Sequence, residues 1–176
     1  MKIQITAILV AALLAVVGCD KQENAAPKMD LHTAAITGNL EVVQQHVKAG
    51  SDLNVKEHTR ASTPLLTAAV FGKTEIAKAL INAGADINYQ NNEGSTALIS
   101  AAFFCHTEIV KALLEKGADK SLKNKAGRTA LESVSKSFEE VKPIYEAIGA
   151  GLAPLGLKLD LAHIEATRPV IAEMLQ

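Results

Sequence analysis

Three similar tripeptides recur along the chain, Thr63-Pro64-Leu65, Thr96-Ala97-Leu98 and Thr129-Ala130-Leu131. Each lies 33 residues from the next, and a fixed period of this length is typical of a repeat protein. Threonine caps a helix with its hydroxyl, and proline suits the first turn because it has no amide hydrogen to leave unpaired. We therefore expect a helix to begin after each of these threonines.

Two further motifs recur in the same register. Alanine pairs follow in the first helices, at Ala34-Ala35, Ala68-Ala69 and Ala101-Ala102. Glycine and aspartate close the units, at Gly50-Ser51-Asp52, Gly84-Ala85-Asp86 and Gly117-Ala118-Asp119. Glycine ends a helix in the left-handed conformation, and aspartate favours a turn. Each unit is thus predicted to be two helices followed by a hairpin-like finger.

This pattern resembles the ankyrin repeat over about residues 29 to 150. The resemblance implies an all-α solenoid of about four repeats in residues 29–151, because repeats bury their apolar faces only by stacking. In the fourth unit we expect Glu139–Ile148 to form the second helix. Residues 152–176 are expected to be a degenerate capping repeat with two short helices, Leu159–Ala166 and Pro169–Leu175.

The N-terminus has the plan of a signal peptide, with Lys2 followed by an apolar run from Ala7 to Val17. The run is shorter than the roughly 20 residues of a spanning helix, so cleavage is favoured over a retained membrane anchor. Its end, Val16-Val17-Gly18-Cys19, resembles the lipobox of bacterial lipoproteins. That resemblance implies removal of residues 1–18 and acylation of Cys19, for example with palmitate.

Residues 19–28 are polar and are expected to tether the folded part to the membrane. The protein would then face the periplasm from the cell envelope, held by acyl chains rather than by a spanning helix. Asp20 follows the lipidated cysteine and resembles the retention signal for the inner membrane. The inner membrane is therefore slightly favoured over the outer membrane.

Composition argues against several function classes. The formal charge is −1 and the lysines are scattered, so nucleic-acid binding is not expected. The five histidines have no metal-ligand spacing, and no phosphate loop or nucleophile elbow occurs. We therefore expect no enzymatic activity, no cofactor and no metal site, and we expect a monomer.

The resemblance to ankyrin repeats implies a partner-binding surface made by the first helices and the fingers. On the first helices the expected contact residues are Ile36, Thr37, Val70, Phe71, Phe103 and Phe104. On the fingers they are Lys56, Glu57, Arg60, Tyr89, Gln90, Asn92, Glu93, Lys123 and Lys125. The expected function is a protein-interaction module of the envelope. The alternative is an immunity protein that neutralises a secreted toxic effector or an envelope hydrolase.

Two expectations concern single side chains. In ankyrin-like proteins the first helices form a concave face. Phe71 and Phe104 are expected to be exposed on it, whereas Phe103 is as consistent with packing between helices as with exposure. Cys105 takes the place of Gly38 and Gly72, which are expected to close the first helix with a left-handed turn, so its side chain suggests either a locally altered turn in the third repeat or a thiol with a function. An inert, partly shielded thiol is favoured there over a functional one, such as an intermolecular disulfide.

Overall fold

The computed structural model describes residues 26–176, so Cys19, the expected signal peptide and most of the expected tether lie outside the described residues. The part of the chain that it describes contains nine α-helices and no β-strand. The helices are α1 Leu31–Thr37, α2 Leu40–Lys48, α3 Pro64–Val70, α4 Thr74–Asn82, α5 Ala97–Phe103, α6 Thr107–Glu115, α7 Ala130–Val134, α8 Phe138–Leu152 and α9 Leu161–Leu175. A 3-10 turn, Ala153–Leu155, follows α8. The predicted all-α repeat fold is confirmed.

The helix starts are capped as the sequence predicts. The hydroxyl oxygens of Thr63, Thr96 and Thr129 accept hydrogen bonds from the amides three residues later, at 3.4, 3.1 and 3.1 Å. At Thr129 the cap is reciprocal, because the Glu132 carboxylate accepts from the Thr129 amide at 2.7 Å. These caps satisfy amides that have no partner within the helix.

The helices form two layers. The first helices, α1, α3, α5 and α7, stack side by side, and α2, α4, α6 and α9 form the second layer behind them. The alanine pairs are fully buried between neighbouring helices, and Val43, Leu80 and Leu113 fill the space between the layers. The small alanine side chains allow the close approach that this stacking requires.

Neighbouring fingers are joined through asparagine side chains. The Asn54 Oδ1 atom accepts from the Asp86 amide at 2.8 Å, and the Asn88 Oδ1 atom accepts from the Asp119 amide at 2.9 Å. Each bond joins one repeat to the next, so the finger edge keeps the same spacing as the helices.

The C-terminal third differs from the expectation. The second-layer position of the fourth unit belongs to α9, which packs on α6 and α7, so the assignment of Glu139–Ile148 to that position is wrong. The two short helices expected in the cap are one helix, which continues through Pro169. Its buried side chains, Ile164, Arg168, Ile171 and Leu175, lie on one face and close the second layer.

The segment between α7 and α9 leaves the stack and crosses the concave face. We call residues 138–160 the arm. Its Tyr145 ring stacks on the Phe103 ring of α5 with centroids 4.4 Å apart. Farther along, Leu152 and Leu155 line the same open space as Ile36 and Phe71 of the first two repeats. The arm therefore runs from the fourth repeat toward the first.

Among residues 26–176, no helix combines the length and apolar character needed to cross a lipid bilayer.

Candidate functional site

The arm turns the concave face into a two-sided groove. One wall is α8, with Ile144, Ile148 and Leu152, and the floor is made by first-helix residues such as Leu66, Val70 and Ile99. The other wall is the finger edge, which contributes Arg60, Glu93, Asn124 and Arg128. This part of the groove has a volume of about 250 Å³.

The groove continues past the end of α8 toward the first repeat. There it is lined by Ile36, Phe71, Leu152 and Leu155, with Glu57 and Arg60 on the finger side. Two apolar arm residues are unusually exposed for their type, Ile144 at 40% and Leu155 at 52%. Exposed apolar side chains beside a groove are typical of a surface that binds a partner.

Most of the residues expected on the first helices lie at this groove. Ile36, Val70 and Phe71 are half-buried and line it. Thr37 is exposed, and its hydroxyl donates to the Thr33 carbonyl oxygen at 2.7 Å within its own helix. Phe103 lines the groove but is covered in part by Tyr145, which agrees with the packing alternative for that residue.

The expected exposure of Phe104 is wrong, because only 7% of this residue is accessible. Its ring meets Phe103 edge to face at 5.1 Å between centroids and lies parallel to the His106 ring at 6.2 Å. These two neighbours cover the ring, so Phe104 supports the floor of the groove and offers little surface to a partner.

The expected finger residues form the opposite edge, and several also stabilise it. Gln90 donates through its Nε2 atom to the carbonyl oxygens of Gly94 and Lys123, at 2.7 and 2.9 Å. Lys56 places its Nζ atom 5.1 Å from the centre of the Tyr89 ring. Exposed side chains occur at Lys56, Arg60, Gln90, Asn92, Glu93, Lys123 and Lys125, and half-buried ones at Glu57 and Tyr89. A partner contact at any of these residues stays a prediction.

Glu57 organises the first finger. Its carboxylate accepts hydrogen bonds from the amides of Arg60 and Ser62, at 2.6 and 3.1 Å, and from the amide and hydroxyl of Thr59. Partial burial alone would raise its pKa, but the bonds from Thr59, Ser62 and Arg60 outweigh burial and lower the pKa to about 2. The carboxylate is therefore charged, and it holds the loop that presents Arg60.

Sequence reasoning missed the arm side of the groove and Arg128. Ile144, Ile148 and Leu152 are spaced four residues apart, which is a helical stripe separate from the buried pair Val141 and Tyr145. Arg128 occupies the position that Ser62 and Ser95 hold in the preceding repeats. The second apolar stripe of α8 and the arginine in place of a serine in the repeat were therefore sequence signals that could have identified these residues.

Cys105 has the same left-handed backbone as Gly38 and Gly72, with φ of 59°, so the turn of the third repeat is not rearranged. The residue is 1% exposed, and its Sγ atom lies 3.6 Å from the Ile164 carbonyl oxygen of α9. Burial raises the pKa of the thiol to about 11, although nearby Arg168 acts in the opposite direction. This burial favours an inert thiol over a functional one.

No set of three or more His, Cys, Asp or Glu residues within 26–176 is arranged to hold a metal ion. Comparison with known families finds that the sequence model of ankyrin repeats, comprising three copies, matches residues 31–124. The chain has no match among curated proteins.

Proposed function

The chain belongs to the ankyrin-repeat family, and we propose that it is a non-enzymatic interaction module of the cell envelope that binds a protein partner in the groove beside the arm. Ankyrin repeats are in general protein-interaction modules. The partner would contact the fingers and the part of the concave face that the arm leaves open.

The observation that carries this proposal is the chemistry of the groove. Its arm side holds the exposed apolar residues Ile144 and Leu155, while its finger side is polar and charged at Arg60, Glu93 and Arg128. An apolar centre that a partner can desolvate, beside a polar edge that sets orientation, is the usual anatomy of a protein interface.

The proposed anchor rests on the N-terminal sequence. The lipobox-like Val16–Cys19 and the polar residues that follow support a lipidated chain whose folded part stands clear of the membrane. Mass spectrometry of the mature N-terminus tests this: an acylated Cys19 and loss of residues 1–18 are expected. An intact Met1, or an unmodified Cys19 at the mature terminus, contradicts the anchor.

Binding is tested by capture of envelope proteins on the full chain in detergent. The finger variant Lys56→Glu/Lys125→Glu changes two exposed lysines of the proposed surface. Its matched control, Lys48→Glu/Lys116→Glu, makes the same change at the ends of the second helices α2 and α6. We expect a stoichiometric partner that is lost from the finger variant and kept by the control.

The outcomes separate the alternatives. A partner kept by both variants contradicts binding at the fingers, and a partner lost from both contradicts a localised surface. A captured toxic effector or envelope hydrolase favours the immunity protein, whereas any other envelope protein favours the general interaction module.

A further inference from the structure

Arg128 is a cation at the groove that the fold itself does not use. It is half-buried and lines the groove between the fingers and α8. Within residues 26–176, no carboxylate lies within 4.0 Å of its guanidinium, which also makes no side-chain hydrogen bond. The other arginine of this edge differs, because the Nε atom of Arg60 lies 3.7 Å from the Glu93 carboxylate.

Two uncommitted polar groups lie on the same edge. Ser95 and Asn124 line the groove, and the Ser95 hydroxyl and the Asn124 side-chain NH₂ group donate to no acceptor in the described part of the chain. A guanidinium and neutral donors that line one groove suit a carboxylate, which accepts two parallel bonds from arginine and further bonds from other donors.

The opposite side of the groove selects for aliphatic groups. Ile148 and Leu152 of the arm face Leu66 and Ile99 of the floor across the open space. The groove has a volume of about 250 Å³ in this part and about 470 Å³ in its continuation toward the first repeat, so it is an elongated space rather than one small pocket. With a wall on each side, this space admits a few side chains of an extended chain rather than the surface of a folded domain.

We infer that the groove binds an extended peptide segment that places aliphatic side chains between α8 and the first helices and a carboxylate on Arg128. The inference rests on the proposed function and defines the kind of partner segment. The carboxylate is either the C-terminus of the partner or an internal aspartate or glutamate, and the same arginine serves both.

Three fluorescent octapeptides with one Leu-Val-Leu core serve as probes of the full chain in detergent, with binding followed by anisotropy. The first ends in a free carboxylate, the second in an amide, and the third in an amide with an aspartate after the core. We expect the first or third peptide to bind at least tenfold more tightly than the second. Preference for the first indicates a C-terminal ligand, and preference for the third indicates an internal acidic residue.

Arg128→Gln removes the charge without breaking any bond of the described fold, and we expect it to weaken the preferred peptide at least tenfold. Ile148→Ala should also weaken binding, whereas Val170→Ala, on an exposed site of α9, should leave it unchanged. Equal affinity for all three peptides, no binding of any, or full affinity of the Arg128 variant overturns the inference.

The capture experiment keeps the two proposals apart. A partner that depends on the fingers but binds Arg128→Gln fully retains the proposed function and rejects the peptide inference. Selective peptide binding without any captured envelope protein supports the peptide site and contradicts the proposed envelope partner.

Discussion

The hydroxyl of Tyr145 donates a 2.6 Å hydrogen bond to the Phe103 carbonyl oxygen, while the two rings stack. The same hydroxyl accepts from Nη1 of Arg168 at 2.8 Å, and Nη2 of Arg168 donates to the Lys136 carbonyl oxygen at 2.8 Å. Tyr145 and Arg168 are both buried. This network joins α5, the loop after α7, the arm and α9, and so sets where the arm lies over the concave face.

Replacing Tyr145 with phenylalanine should destabilise the protein by about 1–3 kcal/mol. The ring stays, but the Phe103 carbonyl loses a donor and a buried guanidinium loses an acceptor. Urea unfolding followed by circular dichroism measures the change. Tyr89→Phe is the matched control, because the Tyr89 hydroxyl makes no hydrogen bond in the described structure, and it should fall within about 0.5 kcal/mol of the parent. Equal effects of the two substitutions would show that the network does not stabilise the fold.

The four helices α3 to α6 were predictable because their determinants are local. A capping threonine, an alanine pair and a terminal glycine recur at fixed spacing, so each repeat specifies its own helices and turns. At Cys105 the sequence left an altered turn open, and the structure shows the same left-handed backbone as at Gly38 and Gly72. The burial of Phe104 was not predictable in this way, since it depends on two neighbouring rings.

The position of the arm was not predictable because Phe138–Leu152 is apolar on two faces. Periodicity predicts a helix there, but it does not say whether Tyr145 or Ile148 meets the solenoid. In α9 the buried stripe contains Arg168, and Pro169 follows it, so the sequence suggested a break. Only the partners of Arg168, which are distant in sequence, explain why a charged residue belongs in that stripe.

Gly72→Ala should destabilise the protein more than Gly50→Ala. Both glycines have positive φ, 64° and 69°, so each substitution carries a backbone cost of about 1–2 kcal/mol. A Cβ atom at residue 72 would also lie 2.5 Å from Cε1 of His106, whereas nothing lies within 4 Å of a Cβ at residue 50. The His106 ring would have to move, which would strain its 3.3 Å contact with the Val70 carbonyl oxygen.

Thermal unfolding of the two alanine variants compares these costs directly. The expected order is parent, then Gly50→Ala, then Gly72→Ala, from most to least stable. Equal melting temperatures of the two variants would show that the His106 ring adapts without cost.

Protonation of Glu57 should make the protein less stable in acid. Its folded pKa is about 2, against an ordinary value of 4.5, so the stabilisation is fully present above pH 4.5 and is lost as the pH falls toward 2. We expect Glu57→Gln to be less stable than the parent at pH 7 by about 1–2 kcal/mol, after allowance for screening by solvent. The difference should shrink below pH 4.5. Urea titrations at pH 7, 4 and 2.5 measure it, with the same substitution at the exposed Glu115 as the control variant.

The Cys105 thiol should resist alkylation until the protein unfolds. Its pKa is raised from 9.0 to about 11, so at pH 8 the folded protein holds on the order of a hundredfold less thiolate than the unfolded chain. The unfolded chain loses this proton first, so Cys105 should also lower stability as the pH rises from about 9 to 11. Iodoacetamide labelling of the Cys19→Ser chain, followed by mass spectrometry with and without urea, measures the protection. An exposed thiol introduced by Ala162→Cys in a Cys19→Ser/Cys105→Ala background provides the control rate. If native Cys105 reacts as fast as that control, α9 does not shield the turn in solution and the functional thiol becomes the better interpretation.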